Sequence, residues 1–250
     1  MGENIYMKIL AFSDMFWNPM PIKISLDLTL LSPMEILNMD DFAKVKFYYD
    51  IVVQHKPDII VLCGDITGDG FCGRGHSNSL IAFLKLTSDL KIFVRFVRGN
   101  HDLDEEINKV NSFFENSIYV RELTQEPEEI AGYSFVGIAF NEISNKTRLK
   151  RSYITHNADF IITHAPSNMR LNLFNMNSKY IFTGHYDLKV LNANDKIFVS
   201  LDNDNPTMGI YFATLEVNKG LININLIAKY RSAKKFIYFH FNNYDAMSFS

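Results

Sequence analysis

The sequence predicts an α/β fold built on mixed β-sheets. Apolar, strand-like runs alternate with helical patterns through the first two thirds of the chain, which is typical of parallel βαβ units. After Gly184 the pattern changes to consecutive strands, which predicts an antiparallel region in the C-terminal half. The third observation is chemical, because several of the apolar runs end in residues of the kind that bind metal ions.

The elements of the first half follow from hydrophobic periodicity and from their end signals. Asp40 or Asp41 would cap the first helix, and Pro57 prevents that helix from continuing. The predicted strands are Lys8–Phe12, Ile59–Cys63 and Ile92–Arg98, and the predicted helices are Met39–Gln54, Asn78–Ser88 and Asp104–Glu115.

The second half is predicted to be mostly strand. Lys219–Gly220 has the composition of a hairpin turn between the last two of these strands. Two stretches have no assignment: Trp17–Leu37 suits a lid, an oligomer contact or a surface loop, and Phe236–Ser250 suits an edge strand or a contact with a second subunit. The predicted strands are Phe160–Thr163, Tyr180–Thr183, Lys196–Leu201, Gly209–Val217 and Leu221–Tyr230.

Composition limits the class of protein. With 250 residues of which 47% are hydrophobic, the chain is long enough for one domain over residues 1–250 with a sizeable core. A net charge of -3 gives no global attraction to nucleic acid or to an anionic membrane. Two cysteines cannot build a disulfide framework, and neither a signal peptide nor a membrane-spanning run is apparent. We therefore predict a soluble, cytoplasmic protein.

Five apolar runs end in polar residues. Because ligands gather at the carboxyl ends of strands in α/β sheets, these endings are expected to converge in one crevice. They are Asp14, the pair Gly64-Asp65, the run Gly99-Asn100-His101-Asp102, the single His164, and the run Gly184-His185-Tyr186-Asp187.

This order of endings resembles the calcineurin-like metallophosphoesterase superfamily, whose consensus reads D-x-H, G-D, G-N-H-[DE], a lone His, and G-H-x-H. The resemblance covers about the first two hundred residues and implies a sandwich of two packed mixed sheets with helices outside. The chain departs from the consensus at two positions, where Phe16 and Asp187 stand in place of histidines.

The resemblance also divides the predicted ligands into two sets around a dinuclear centre. The set of Asp65, Asn100, His164 and His185 is complete. The other set keeps Asp14 and Asp65, and Asp187 would make it an oxygen-only site suited to Mn²⁺ or Mg²⁺. We expect one or two divalent ions, with Mn²⁺ first and Fe, Zn or Mg²⁺ as alternatives.

The implied activity is hydrolysis of a phosphoester by a phosphodiesterase or phosphatase. In that mechanism a metal-bound hydroxide attacks phosphorus and His101 protonates the leaving oxygen as general acid, with Asp102 beside it at the catalytic position. A small-molecule phosphoester is the expected substrate, and extended nucleic acid is not. Because two imidazoles are missing, the alternative is a weakly active or inactive member that serves as a scaffold or binding module.

Two further features have conservative interpretations. Gly68–Gly73 satisfies G-x-G-x-x-G, but Gly64–Thr67 separate it from the strand, so we interpret it as a glycine-rich loop and place a nucleotide-binding oxidoreductase last among the three functions. Phe16 and Trp17 beside Asp14 raise the hypothesis of an aromatic wall that stacks a nucleobase.

Overall fold

The structure is a computed structural model, and it describes most of the chain. The described ranges are 6–15, 28–39, 43–67, 77–144, 158–165, 178–185, 189–193, 196–201, 210–218, 221–229, 236–241 and 247–248. Within them the strands form two seven-stranded mixed sheets with helices beside them, which confirms the predicted α/β class and the two-sheet arrangement.

The helices, in chain order, are α1 (Pro33–Asn38), α2 (Ala43–His55), α3 (Ser77–Asp89), α4 (Asp104–Phe113) and α5 (Phe140–Ser144). The strands are β1 (Tyr6–Phe12), β2 (Ile59–Cys63), β3 (Phe93–Val97), β4 (Val120–Glu122), β5 (Glu128–Ile130), β6 (Tyr133–Ile138), β7 (Phe160–His164), β8 (Tyr180–Gly184), β9 (Lys189–Ala193), β10 (Lys196–Ser200), β11 (Ile210–Asn218), β12 (Leu221–Lys229), β13 (Phe236–Phe241) and β14 (Met247–Ser248).

Each sheet has a parallel centre and antiparallel edges. The first sheet has the order β13-β12-β11-β1-β2-β3-β4, with β1 to β4 parallel. The second has the order β14-β9-β10-β8-β7-β6-β5, with β6, β7, β8 and β10 parallel. The carboxyl ends of parallel strands lie at one edge of a sheet, so each sheet presents one edge of strand endings.

The core follows from period-two alternation along the inner strands. In β1, Met7, Ile9 and Ala11 belong to the apolar cluster between the two sheets, whereas Leu10 and Phe12 belong to the cluster under the helices. All five side chains are fully buried. A strand that is apolar on both faces therefore marks the middle of the sandwich, as the continuous apolar runs predicted.

The N-terminal helical region differs from its prediction. The helix predicted over Met39–Gln54 begins at Ala43, because Met39 ends the separate helix α1 as its C-cap. Ser32 and Glu35 form a capping box at the start of α1, and Pro33 occupies the first turn. Helix α1 lies within the stretch that had no assignment from sequence.

The C-terminal segment adds strands at the sheet edges. Strand β13 pairs with β12 in the first sheet, and β14 pairs with β9 in the second. The edge-strand alternative for Phe236–Ser250 is thus the one that the structure shows. Strands β11 and β12 pair from Asn218↔Leu221 onward, which confirms the hairpin, while its turn residues lie outside the described ranges. No helix among the described residues is long and apolar enough to cross a membrane.

Candidate metal centre

Four of the predicted metal ligands meet around one imidazole nitrogen at the strand ends. Nε2 of His164, at the end of β7, lies 3.0 Å from Asn100 Oδ1, 3.1 Å from Asp65 Oδ2 and 3.2 Å from His185 Nδ1. These residues follow β3, β2 and β8, so both sheets contribute to the cluster. The predicted convergence of Asp65, Asn100, His164 and His185 is what the structure has.

The other nitrogen of His164 fixes the role of the ring. Nδ1 lies 2.7 Å from the carbonyl oxygen of Cys63, and since a carbonyl only accepts, Nδ1 carries a proton and donates. Metal-binding histidines commonly donate one ring N–H to a backbone carbonyl, which leaves the other nitrogen as the ligand atom. The ring of His164 is fully buried, so this arrangement cannot exchange its partners with solvent.

Asp65 supplies a buried oxygen that lacks a suitable donor. Its Oδ1 accepts a hydrogen bond from the backbone N–H of His101 at 2.8 Å. Its Oδ2 is close to His164 Nε2 but has no hydrogen bond of normal geometry within the described part of the chain. A buried carboxylate oxygen left in this state costs free energy, and a cation in contact with it removes that cost.

The spacing of the donor atoms suits a cation. Ligand atoms about 2.0–2.2 Å from one ion lie roughly 3 Å from one another, which is the separation found here. Asp65, His164 and His185 each offer a ligand atom within 4.8 Å of the others. The described residues therefore fit a divalent metal, with imidazole nitrogens favouring Fe or Zn and oxygens favouring Mn²⁺ or Mg²⁺.

Electrostatics also favours a cation at this position. Although burial lowers the pKa of His164, its contact with Asp65 and the charge of Asp14 raise that pKa to about 9. In the protein without metal, a proton on His164 thus offsets the negative charge that a metal ion would offset. Because metal ligation needs neutral imidazole, metal and proton compete for this site.

Asp14, at the end of β1, lies beside this cluster and supports it. Its Oδ2 accepts hydrogen bonds from the Ser13 hydroxyl and, at 3.2 Å, from the backbone N–H of His185. Burial, followed by the neighbouring charge of Asp65, raises the pKa of Asp14 to about 7, despite the opposing charge of His164. Asp14 therefore holds the loop that carries His185 and adds a second acidic group to the site.

Backbone conformation singles out three of the predicted ligands. Asp14, Asp65 and His185 have φ angles of 52°, 52° and 66°, in the left-handed region that non-glycine residues seldom adopt. Such conformations cost of order 1–3 kcal/mol each and tend to cluster at functional sites. Each of the three occurs directly after a strand, so the chain turns sharply to direct these residues toward the centre.

Two motif glycines are required by close packing around the ligands. A Cβ added to Gly99 would lie 1.9 Å from Asp65 Oδ1 and 2.3 Å from the Asp65 backbone nitrogen. A Cβ added to Gly184 would lie 1.9 Å from Ser13 Oγ and 2.6 Å from His164 Nδ1. Contacts this short do not occur between real atoms, so any larger residue displaces a ligand.

Gly99→Ala is therefore expected to lower metal affinity by about 10–100-fold, the range found when support for a ligand is lost. Metal titration followed by calorimetry measures this. Gly132→Ala is the matched control, because Gly132 has a φ of 78° at the turn before β6, away from the ligands. It should cost about 1–2 kcal/mol of stability while metal affinity stays at the wild-type value. Equal metal affinity in both variants would contradict the packing argument.

The two predicted catalytic residues differ in their surroundings. His101 is half-buried, and its backbone N–H is bound to Asp65, which places it next to the ligand cluster. The carboxylate of Asp102 accepts from the backbone of Gly99 at 2.8 Å, Ile66 at 2.8 Å and Thr67 at 2.7 Å. Asp102 also accepts from the Thr67 hydroxyl at 2.9 Å, so its oxygens connect the loops after β2 and β3.

Some functional residues were not found by sequence reasoning, and others lie beyond the described ranges. The first group is Ser13, which binds Asp14, and Phe140, whose ring lies 5.7 Å from that of His185 and 6.2 Å from that of His164. Only the position of Ser13 beside Asp14 could have indicated its role. Outside the described ranges lie Phe16, Trp17, Asp187 and the glycine-rich stretch 68–73.

Comparison with known proteins gives matches in sequence and structure. The calcineurin-like phosphoesterase family model matches residues 7–188. A subunit of the nuclease SbcCD of Staphylococcus epidermidis is 31% identical over 98 residues, which are 36% of this chain and 26% of that protein. The crystal structure of TT1561 of Thermus thermophilus superposes with a TM-score of 0.53 at 14% identity, covering 85% of this chain and 98% of that one.

Proposed function

The chain belongs to the calcineurin-like phosphoesterase family, and we propose that it hydrolyses a small phosphoester with the help of a divalent cation. Metal-dependent phosphoester hydrolysis is the general chemistry of this family. The observation that carries the proposal for this chain is the unsatisfied, buried Oδ2 of Asp65 facing Nε2 of His164, with Asn100 and His185 at the same point.

In the proposed site, Asp65, Asn100, His164 and His185 hold the cation. A bound divalent cation polarises a phosphoryl oxygen and lowers the pKa of water, which is the chemistry it supplies. The protein's part is positioning: Cys63 O fixes the ring of His164, and Asp14 fixes the backbone of His185. Preorganised groups of this kind lose little free energy to rearrangement during the reaction.

His101 is the proposed general acid. It follows the ligand Asn100 directly, and its half-buried imidazole can donate a proton to the leaving oxygen of the ester. We assign Asp102 a positioning role instead of the catalytic one predicted from sequence, because its carboxylate oxygens accept from Gly99, Ile66 and Thr67. Asp102 thereby sets the distance between the loops that carry Asp65 and His101.

A second ion is part of the proposal. Asp14, Asp65 and Asp187 would hold it through oxygens alone, which favours Mn²⁺ or Mg²⁺ and weaker binding than at the imidazole-containing site. Since Phe16 replaces one imidazole of the family pattern and Asp187 another, a reduced rate is expected. These same substitutions support the second candidate function, a weakly active or inactive scaffold or binding module.

The test uses purified protein stripped of metal and reloaded with Mn²⁺, Fe²⁺, Zn²⁺ or Mg²⁺ in turn. Hydrolysis of bis(4-nitrophenyl) phosphate and of 4-nitrophenyl phosphate separates phosphodiesterase from phosphatase activity. His101→Asn should lower kcat by about 10²–10⁴-fold, as loss of a general acid does, with unchanged metal content. Metal binding without hydrolysis of either ester by the wild type would replace the enzyme by the scaffold or binding module.

Substrate size is proposed on the same basis. The wild type should turn over small aryl esters faster, per phosphoester bond, than double-stranded DNA. Because the relative from Staphylococcus epidermidis is part of a nuclease, DNA cleavage is the alternative that this comparison examines. The cytoplasmic location remains a prediction from the sequence.

A further inference from the structure

A cleft opens beside the metal centre and has no part in the function proposed above. Its volume is about 280 Å³, at the lower end of ligand pockets, so it suits one sugar-sized group and not a polymer. Polar side chains dominate its walls. The lining residues are Arg98, Glu122, Leu123, Thr124, Ala139, Asn141 and Glu142.

The cleft and the metal ligands share two loops. Arg98 precedes the ligand Asn100 by two residues, which span at most about 7 Å of chain. The backbone N–H of Phe140 donates to the carbonyl of Arg98 at 3.0 Å, so the loop after β6 is fixed to the loop after β3. Phe140 contacts the rings of His164 and His185, while its neighbours on both sides line the cleft.

The charges of the cleft exclude a second phosphate. Among the described residues that line it, Arg98 is the only cation, and it is already bound to Glu122 at 2.5 Å and to Asp104 at 2.6 Å. Two carboxylates, Glu122 and Glu142, line the cleft against this single guanidinium. The occupant is therefore neutral and carries hydrogen-bond donors, because carboxylate oxygens only accept.

Glu142 is the side chain best placed to read such donors. Its Oε2 accepts from the backbone N–H of Ala139 at 2.9 Å, and its Oε1 accepts from Gln125 Nε2. A carboxylate offers about four acceptor positions, so these two bonds fix the group in place and leave further lone pairs available. Asn141 lies on the same turn of α5 and adds an amide to the wall.

From this geometry we propose that the cleft binds a sugar with a vicinal diol, attached to the phosphoryl group that is hydrolysed at the metal centre. Glu142 and Asn141 accept from the two hydroxyls, in the way that an acidic residue recognises a ribose hydroxyl in dinucleotide-binding folds. The inference rests on the proposed hydrolase function. The diol has two sources, a nucleoside or a free sugar phosphate, and the test separates them.

The experiment compares esters that all release 4-nitrophenolate, so that only the retained organic group differs. These are the 5-(4-nitrophenyl phosphate) esters of uridine, 2′,3′-dideoxyuridine and ribose. The wild type should show a KM at least about tenfold lower for uridine than for dideoxyuridine, the worth of hydrogen bonds to a charged group. A uridine KM equal to that of ribose identifies sugar phosphates, and a lower uridine KM identifies nucleotides.

Glu142→Gln should raise the KM of the diol esters about tenfold, with kcat unchanged and dideoxyuridine unaffected. Asn141→Ala is the second variant, because its truncation leaves the contacts of Glu142 with Ala139 and Gln125 in place. Glu129→Gln, on the exposed side of β5, is the matched control and should leave every KM unchanged.

Binding of free uridine and of dideoxyuridine, measured by calorimetry, keeps the test independent of hydrolysis. Tighter binding of uridine, weakened by Glu142→Gln, supports the diol site even if no ester is cleaved, in which case only the proposed hydrolase function fails. Equal binding of the two nucleosides, or equal KM changes for uridine and dideoxyuridine esters, overturns the diol site.

Discussion

Asp65→Asn is expected to abolish metal-dependent hydrolysis, with a fall in kcat/KM of at least about 1,000-fold. A bound cation supplies several kcal/mol of transition-state stabilisation, and each 1.36 kcal/mol is about a factor of ten in rate. Asparagine tolerates the left-handed conformation that Asp65 adopts, at φ 52°, so the backbone is preserved. The measurements are metal content, the hydrolysis rate, and the rise in Tm that added metal causes.

The wild type should gain thermal stability from added Mn²⁺, because a ligand that binds only the native state stabilises it. Asp65→Asn should lose that gain. Asp50→Asn is the matched control, since Asp50 is exposed on α2 and pairs with Lys46 at 3.2 Å. If Asp65→Asn retained both the metal and the activity of Asp50→Asn, Asp65 would not be a ligand.

Arg95→Met is expected to destabilise the fold by about 3–5 kcal/mol, as removal of one partner from a buried ion pair does. Arg95, on β3, is 1% exposed and binds both oxygens of Glu128 on β5 at 2.7 Å. It also donates to the carbonyls of Val94, Tyr119 and Ile118. Because β3 and β5 belong to different sheets, this contact joins the two halves of the sandwich.

Arg121→Met provides the comparison for Arg95→Met. Arg121 lies 3.6 Å from the same Glu128, but its side chain is 54% exposed. An exposed ion pair is worth roughly 0–1 kcal/mol, so this variant should unfold close to the wild-type urea midpoint. Equal losses of unfolding free energy in the two variants would show that burial does not decide the contribution of these arginines.

The strands of the site were predictable because each is an apolar run that stops at a polar residue. β2 was predicted with its observed bounds, and the bounds of β7 and β8 each differ by one residue. These runs are apolar on both faces, which is the strongest local signal for a central strand. The antiparallel strands β11 and β12 were likewise predicted within one residue at each end.

The elements that were missed have weak local signals. β4 and β5 are three residues long, and each is defined by its pairing with a neighbour, β3 and β6 respectively. Helix α1 is six residues long, and its capping box lies in a stretch without clear periodicity. Tertiary pairing decides such short segments, and periodicity does not contain that information.

The site shows the same division between local and long-range information. The order of motifs was enough to predict that Asp65, Asn100, His164 and His185 come together. It did not predict that Asp102 binds Ile66 and Thr67, which lie 36 and 35 residues earlier in the chain. The contact of Phe140 with the imidazoles depends on the position of β6 beside β7, which no local pattern specifies.

The most direct test of the metal centre is a crystal structure of the protein grown with Mn²⁺, with anomalous diffraction data collected for manganese. We predict an anomalous peak between Asp65 Oδ2, Asn100 Oδ1, His164 Nε2 and a ring nitrogen of His185, with each ligand about 2.0–2.2 Å from the ion. Anomalous density elsewhere on the protein, with these four side chains in direct contact with one another, would contradict the assignment.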